Sequence, residues 1–392
     1  MKLYLFNPDA DMALGNNEEN YMPPAAIRRM GEDLALLPLW YAEPGSAVLA
    51  SSAYNADFLK RMEELFRLDV KLLTVPELPD YADVQVIPWG WNPAIRKYLL
   101  KAGLPEYNLP LPEKLTAYRR LSSRGEAMEV MGAFRISEKD GFCGVSCRLS
   151  AIADCREFVT RYDACVLKAP WSGSGKGLNW CKGVFTQSIE GWCERVVREQ
   201  GFVSGEPAYH KVEDFAMEFC SDGCGKVSFV GYSLFSTNKS GAYGGNVLMP
   251  SEDIEKRIAG YVPLQLLHDV RNRLCLMLSE RYGATYDGYL GVDMMVCLMP
   301  DGRYAVHPCV EINMRMNMGV VALHLQEHIM APESVGLLSI DYCPSNEELR
   351  EKHEQDRAAH PVVVNDGKLV SGYLPLVPVT TKSCYRAYVL VW

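Results

Sequence analysis

Apolar and polar positions along the first hundred residues switch repeatedly between a strand period and a helix period. MKLYLF is a short apolar run of strand length, and NPDADMALGNNEENYMPP after it reads as a long polar loop. A helical pattern follows from Ala25 to about Ala35, entered through Pro23–Pro24. Then come a strand near Ala47–Ala50, a helix near Ala56–Phe66, strands near Val70–Leu73 and Val84–Ile87, and a helix from Pro93 that stops at Gly103. This alternation predicts a parallel sheet flanked by helices, whose ligands bind beyond the carboxyl ends of the strands. The loop from Asn7 to Asn20, rich in Asp, Glu and Asn, lies there, either as solvated surface or as a substrate or amine pocket. Trp89-Gly90-Trp91-Asn92 leaves a second strand end and either lines the same pocket or packs.

LPEYNLPLP, Leu104 to Pro112, reads as a linker, and a helix is expected from Glu113 to about Met131. Weak strand signals run to Ser150, and a helix covers Asp154–Arg161. In ACVLKAPWSGSGKGL an apolar strand delivers Lys168 and is followed by a loop containing Ser172, Gly173, Ser174, Gly175, Lys176 and Gly177. Glycines let backbone N–H groups approach phosphate oxygens, and the serines add hydroxyl donors. Pro170 and Gly177 stand where a Walker A loop needs Gly and Ser or Thr, and GSGKG lacks the third glycine of the dinucleotide fingerprint. After a helix from about Ser188 to Gln200 comes Phe202 to Pro207. Glu206 is placed there as a connector residue able to face a base and a ribose.

The chain then turns β-rich, with strands at Asp214–Cys220 (carrying Glu218), Lys226–Phe235 and Tyr243–Leu248, and a helix from about Leu264 to Tyr282. In the apolar strand DGYLGVDMMV, Asp293 is a lone acid, and a buried carboxylate requires a partner. The turn Met299-Pro300-Asp301-Gly302 leads into VHPCVEINMRMNMG, where Glu311, Asn313 and Arg315 alternate. On a strand these three would share a face, and Asp293 would face Glu311 from the neighbouring hairpin strand. A carboxylate, an amide and a guanidinium together suit a divalent cation and the phosphate that it carries.

Composition narrows the classes. With 392 residues, 48% hydrophobic and 23% charged, the chain is of ordinary globular type and long enough for two or three domains. A net charge of −9 without a basic stripe argues against nucleic acid as a partner. No stretch approaches the roughly 20 apolar residues of a membrane span. The acids near the N-terminus spoil a signal peptide, so a cytoplasmic location is expected. Thirteen scattered cysteines without a CxxC pair then read as reduced, mostly buried thiols, and Cys220 with Cys224 makes an unconvincing zinc pair.

VLKAPWSGSGKGL, GVDMMV and VEINMRMNMG, in that order, resemble the ATP-grasp superfamily of ligases, from about Lys114 to Gly319. The resemblance implies an α/β chain, with a Rossmann-like N-terminal domain followed by a two-lobed ATP-grasp fold that binds ATP between its lobes. The expected division is 1–105 (N-terminal domain, substrate side), 106–205 (small lobe with the flap), 206–335 (large lobe with the metal site) and 336–392, to which no role is assigned. By position, Lys114 and Lys168 correspond to the lysines on the nucleotide phosphates, and Ser172 to Gly177 to the flap over them. Glu206 corresponds to the hinge acid at adenine and ribose, and Glu218 also serves the nucleotide. Asp293, Glu311 and Asn313 correspond to the Mg²⁺ ligands, with Mn²⁺ as a substitute, and Arg315 to the cation at the transferred phosphate. The implied reaction phosphorylates a small-molecule or peptide carboxylate for attack by a nucleophile, above all an amine, releasing ADP and phosphate. A homodimer is compatible with it.

Competing classes are an ATP-binding protein or a kinase on the same scaffold, and a zinc hydrolase. The last rests on His324-Leu325-Gln326-Glu327-His328, a literal HxxEH, the inverted zinc-protease motif.

Overall fold

A computed structural model describes residues 1–51, 53–134, 141–173, 177–238, 241 and 243–392. The four consecutive segments read from the sequence are regrouped by contacts into two discontinuous compact units. One holds residues 1–115, 244–251 and 315–392, and the other holds residues 116–243 and 252–314.

In the first unit, strands Val70–Leu73, Ser46–Leu49, Lys2–Leu5 and Gln85–Pro88 lie side by side in that order, all parallel. Leu3, Leu5, Ala47, Leu49, Leu73, Val84 and Val86 build its core with Leu99 of the helix Pro93–Lys101. That helix starts where expected: Asn92 accepts the Ile95 amide at 2.9 Å, and Pro93 occupies a first-turn position that needs no N–H. The stretch read as one polar loop is partly a helix, Ala10–Asn16. Its Ala10, Ala13 and Leu14 are buried, an apolar stripe too short to stand out among the flanking acids and amides.

The C-terminal segment completes this unit. Strands Gly336–Tyr342, Tyr385–Val391, Lys368–Pro375 and Val363–Asn365 form an antiparallel run, accompanied by the helix Asn346–Ala359. Trp40 donates to the Leu376 carbonyl at 2.7 Å, and Asp33 accepts the amides of Cys384 and Tyr385 at 2.7 and 3.0 Å. The fully buried Arg386 is neutralised by Asp341 and Asp356, at 2.7 and 2.8 Å.

The second unit has two antiparallel layers. Strands Cys147–Leu149, Val203–Pro207, Cys165–Lys168 and Leu178–Cys181 form one, covered by helices Ile152–Arg161 and Gln187–Gln200. Strands Tyr304–Asn313, Asp287–Leu298, Lys211–Asp222 and Val227–Thr237 form the other. The single helix expected over Glu113–Met131 is two, Pro112–Leu121 and Arg124–Ala133. Ser123 breaks it by accepting the Gly125 amide at 3.2 Å, a start signal that competes with helix continuation. Among the described residues no helix is long and apolar enough to cross a membrane, and all thirteen cysteines are free thiols.

Burial holds His307, His324 and His353 down to pKa values of about 4. The unfolded chain, with histidines near 6.5, therefore binds protons that the folded chain refuses between pH 6.5 and 4. Thermal unfolding at a series of pH values should show stability complete above pH 6.5 and falling as the pH drops through that window. His353→Phe should make the fall shallower.

Candidate functional site

Lys168 ends a strand whose four residues are all buried, and its ammonium lies 2.6 Å from the Glu206 carboxylate. Lys168 faces Ser204 across the ladder and Val166 faces Glu206, so the pair is a diagonal one within reach of long side chains. With side-chain exposures of 8% and 6%, neither charge tolerates the loss of the other.

Beyond Lys168 the base of the glycine loop is closed by the Ala169 amide donating to the Gly177 carbonyl at 2.9 Å. Gly177 has φ +77°, and a Cβ there would lie 2.7 Å from the Ser172 Cβ, so glycine is required twice over. Trp171 is pinned by donating its indole N–H to the Arg119 carbonyl at 2.7 Å, under the Arg119 guanidinium. Gly173 follows Ser172 at the near end, whereas Ser174, Gly175 and Lys176 lie outside the described residues.

The second layer supplies the acids. Asp293 stands directly opposite Glu311, and Gly291 opposite Asn313. On the other side of the same strand, Gly291 faces Glu218 and Asp293 faces Ala216. Direct cross-strand partners share a face, as do residues two apart. Glu218, Asp293, Glu311 and Asn313 therefore project from one face, with only the side-chain-free Gly291 and the small Ala216 between them. The ladder is regular there and shifts immediately afterwards, where His307 comes to face Met295. Pro308, which has no N–H to give, falls in that irregular stretch.

Arg124, to which the sequence reading gave no role, joins the two layers. Its guanidinium donates to the Ala169 carbonyl and the Ser172 hydroxyl, both at 3.1 Å, and forms an ion pair with Glu311 at 2.8 Å. The one signal for it was the Ser122–Ser123 break, which makes Arg124 the first residue of a buried helix. Cys309 registers the convergence of these groups. Burial first, and then the carboxylates Glu206, Asp293 and Glu311, push its thiol well above the ordinary value, while Lys168 pulls the other way.

Asp293, Glu311 and Asn313 offer oxygens only, which fits a hard divalent cation that shares its coordination with phosphate and water. Among the described residues no group of three or more His, Cys, Asp or Glu could hold a metal ion, so a cation here would depend on non-protein oxygens. The HxxEH pair meets the same result. His324 is the last residue of the helix Met318–His324, and the side chains of Glu327 and His328 are largely exposed.

Two expected members are assigned to the first unit. The strand ends at Asn313, so Arg315 does not continue its alternation. The chain turns instead toward the Asn317 cap of the next helix, and Arg315 grips Asp11 with two nitrogens, at 2.9 and 2.7 Å, within the first unit. Lys114 lies exposed on the helix Pro112–Leu121 and is also assigned to the first unit.

No family model matches the chain, and no curated protein matches it. Solved structures with some likeness to it include three enzymes. One is the biotin carboxylase domain of Hydrogenobacter thermophilus 2-oxoglutarate carboxylase with MgADP, ADP and bicarbonate. Its identity is 13%, it covers 88% of this chain and 86% of that one, and the TM-score is 0.49. Another is Staphylococcus aureus N5-carboxyaminoimidazole synthetase with ADP, at 9% identity over 90% and 94% with TM-score 0.48. A third is Vibrio cholerae D-alanyl-alanine synthetase A, at 14% identity over 72% and 93% with TM-score 0.40.

Lys168→Met leaves Glu206 buried without its cation and should cost about 3 kcal/mol of stability in denaturant unfolding. Adding Glu206→Gln should restore most of that loss, since no buried charge then remains.

Proposed function

We propose that the chain is an ATP-dependent ligase of the ATP-grasp type, which phosphorylates a carboxylate and passes the acyl group to an amine. The observation that carries this reading is the shared face of Glu218, Asp293, Glu311 and Asn313, linked through Arg124 to the base of a glycine loop that begins one turn beyond Lys168. Oxygen donors beside two buried cations and a glycine-rich loop closed at Gly177 suit a cation-bound polyphosphate. A nucleophile–base arrangement is not needed, because phosphoryl transfer asks for positioning and charge neutralisation.

In this reading Asp293, Glu311 and Asn313 would hold Mg²⁺, whose contribution when bound is to neutralise the β- and γ-phosphate oxygens. Lys168 and Arg124 stabilise negative charge on the phosphates, having been kept ready by Glu206 and Glu311. The amides of the glycine loop orient the phosphates and keep water from them, which protects both ATP and the acyl phosphate from hydrolysis. The carboxylate oxygen attacks the γ-phosphorus and ADP leaves; the amine then attacks the acyl carbon and inorganic phosphate leaves. Glu206 and Glu218 serve the nucleoside side. Arg315 and Lys114 remain candidates for phosphate contacts, as the sequence resemblance implies.

Millimolar MgATP should raise the melting temperature, because a ligand bound only by the native state stabilises it by about 2.7 kcal/mol at a hundredfold excess over Kd. An unchanged melting temperature contradicts the nucleotide assignment. A screen of carboxylate and amine pairs for ADP and phosphate release identifies the substrates. ATP turnover that ignores every carboxylate points to a kinase, and binding without turnover points to a non-catalytic ATP-binding protein. With the productive pair in hand, Glu311→Gln should lower turnover by orders of magnitude while the circular dichroism spectrum stays that of the wild type.

A further inference from the structure

The strands Gly336–Tyr342 and Tyr385–Val391 pair antiparallel as far as Tyr342 opposite Tyr385. One residue further, Cys343 donates its amide to the Cys384 carbonyl at 2.9 Å, so the two cysteines form the last rung of this ladder. Pro344, which has no N–H, comes next, and the Cys384 amide turns to the Asp33 carboxylate at 2.7 Å. Directly opposite residues point to one face, and here a helix marks that face. The Cys343 thiol donates to Glu348 at 3.1 Å and the Cys384 thiol to Asn346 at 3.3 Å, both in the first turn of the helix Asn346–Ala359. Cys343 also feels the charge of Cys384. A hydrogen-bonded rung sets its Cα atoms about 5.5 Å apart, within the span that a disulfide bridges.

Access separates this pair from the others. Cys143 touches Cys297, Cys155 touches Cys193 and Cys165 touches Cys181, but each of those residues is at most 3% exposed and sealed from a dissolved oxidant. Cys343 and Cys384 are both half-exposed. Their hydrogen bonds do not explain the choice of sulfur, because S–H is a weak donor and a serine hydroxyl would serve Glu348 and Asn346 better. Nor do those bonds oppose oxidation. Glu348 is exposed and Asn346 half-exposed, so water replaces the donors that they lose. What sulfur alone offers at two adjacent positions open to solvent is the S–S bond.

We propose that Cys343 and Cys384 are a reversible modification site, at which a low-molecular-weight disulfide such as oxidised glutathione forms a cross-strand disulfide. One cysteine thiolate attacks the S–S bond of the oxidant, making a mixed disulfide and expelling one small thiol. The other cysteine thiolate attacks the protein sulfur of that mixed disulfide and expels the second small thiol. The chain loses two S–H hydrogens with their electrons, and the oxidant leaves as two thiols that carry them. The new bond closes a loop of about forty residues that holds the helix Asn346–Ala359 and the strands Val363–Asn365 and Lys368–Pro375. It does not depend on the ligase reading.

In the test, the native full chain is freed of reductant, incubated with excess oxidised glutathione, quenched in acid, denatured and labelled with N-ethylmaleimide. Wild type should take up two labels fewer than the thirteen of the reduced chain and gain no glutathione mass. Its digest should contain one pair of peptides joined through Cys343 and Cys384, and dithiothreitol should restore all thirteen labels. Cys343→Ser should give no joined peptides and stop with glutathione on Cys384. Undiminished labelling of wild type overturns the proposal, as does glutathione that stays on either cysteine of wild type, or a link formed between other cysteines instead. Two labels lost without glutathione in the serine variant overturn it as well. Should that variant fail to fold, the wild-type peptide map decides alone.

Discussion

A charge taken out of water must bring its counter-charge with it, and the second unit is assembled around that constraint. Arg124, Lys168 and Glu206 are all buried, in a unit whose core is built largely of apolar side chains. Lys168 and Glu206 satisfy one another across neighbouring strands, and Glu311 satisfies Arg124 across the two layers. The loop base, the first turn of the helix Arg124–Ala133 and the strand Tyr304–Asn313 thus take their relative positions from one guanidinium. A core of apolar side chains would be at least as stable, since replacing a buried ion pair by well-packed hydrophobes is often neutral or better. The charges are therefore better explained by what they do than by what they stabilise.

The parts of this arrangement visible in the sequence are those with a fixed period or a required residue. Strand alternation alone brings Glu311 and Asn313 to one face and turns Asp293 toward Glu311, because the hairpin at Asp301–Gly302 leaves little choice of register. The parallel sheet of the N-terminal strands followed from the same logic of alternating periods, but their order did not. What could not be read depends on local geometry that no period encodes. The shift at His307 hides which residues face one another further back along the strand. The end of the strand at Asn313 takes Arg315 out of an alternation that the letters continue through Met316. Arg124 lay in what looked like an uninterrupted helix, and the Ser123 cap that starts a new one competes with continuation by a margin too small to see without the fold. The apolar stripe of Ala10, Ala13 and Leu14 is likewise lost among neighbours that are acids and amides.

The paired state of the cations bears on how such a site would fill. Phosphate oxygens arriving alone must draw Lys168 from Glu206 and Arg124 from Glu311, which leaves two carboxylates facing the incoming negative charge. A divalent cation arriving alone must draw Glu311 from Arg124, which leaves a buried guanidinium facing the metal. Each half-filled state carries an uncompensated buried charge, worth several kcal/mol. When cation and phosphate arrive together the exchange is balanced: the carboxylates pass from protein cations to the metal, and the protein cations pass to the phosphates. On the proposed function, the ion pairs of the ligand-free protein therefore favour the metal–nucleotide complex over either component.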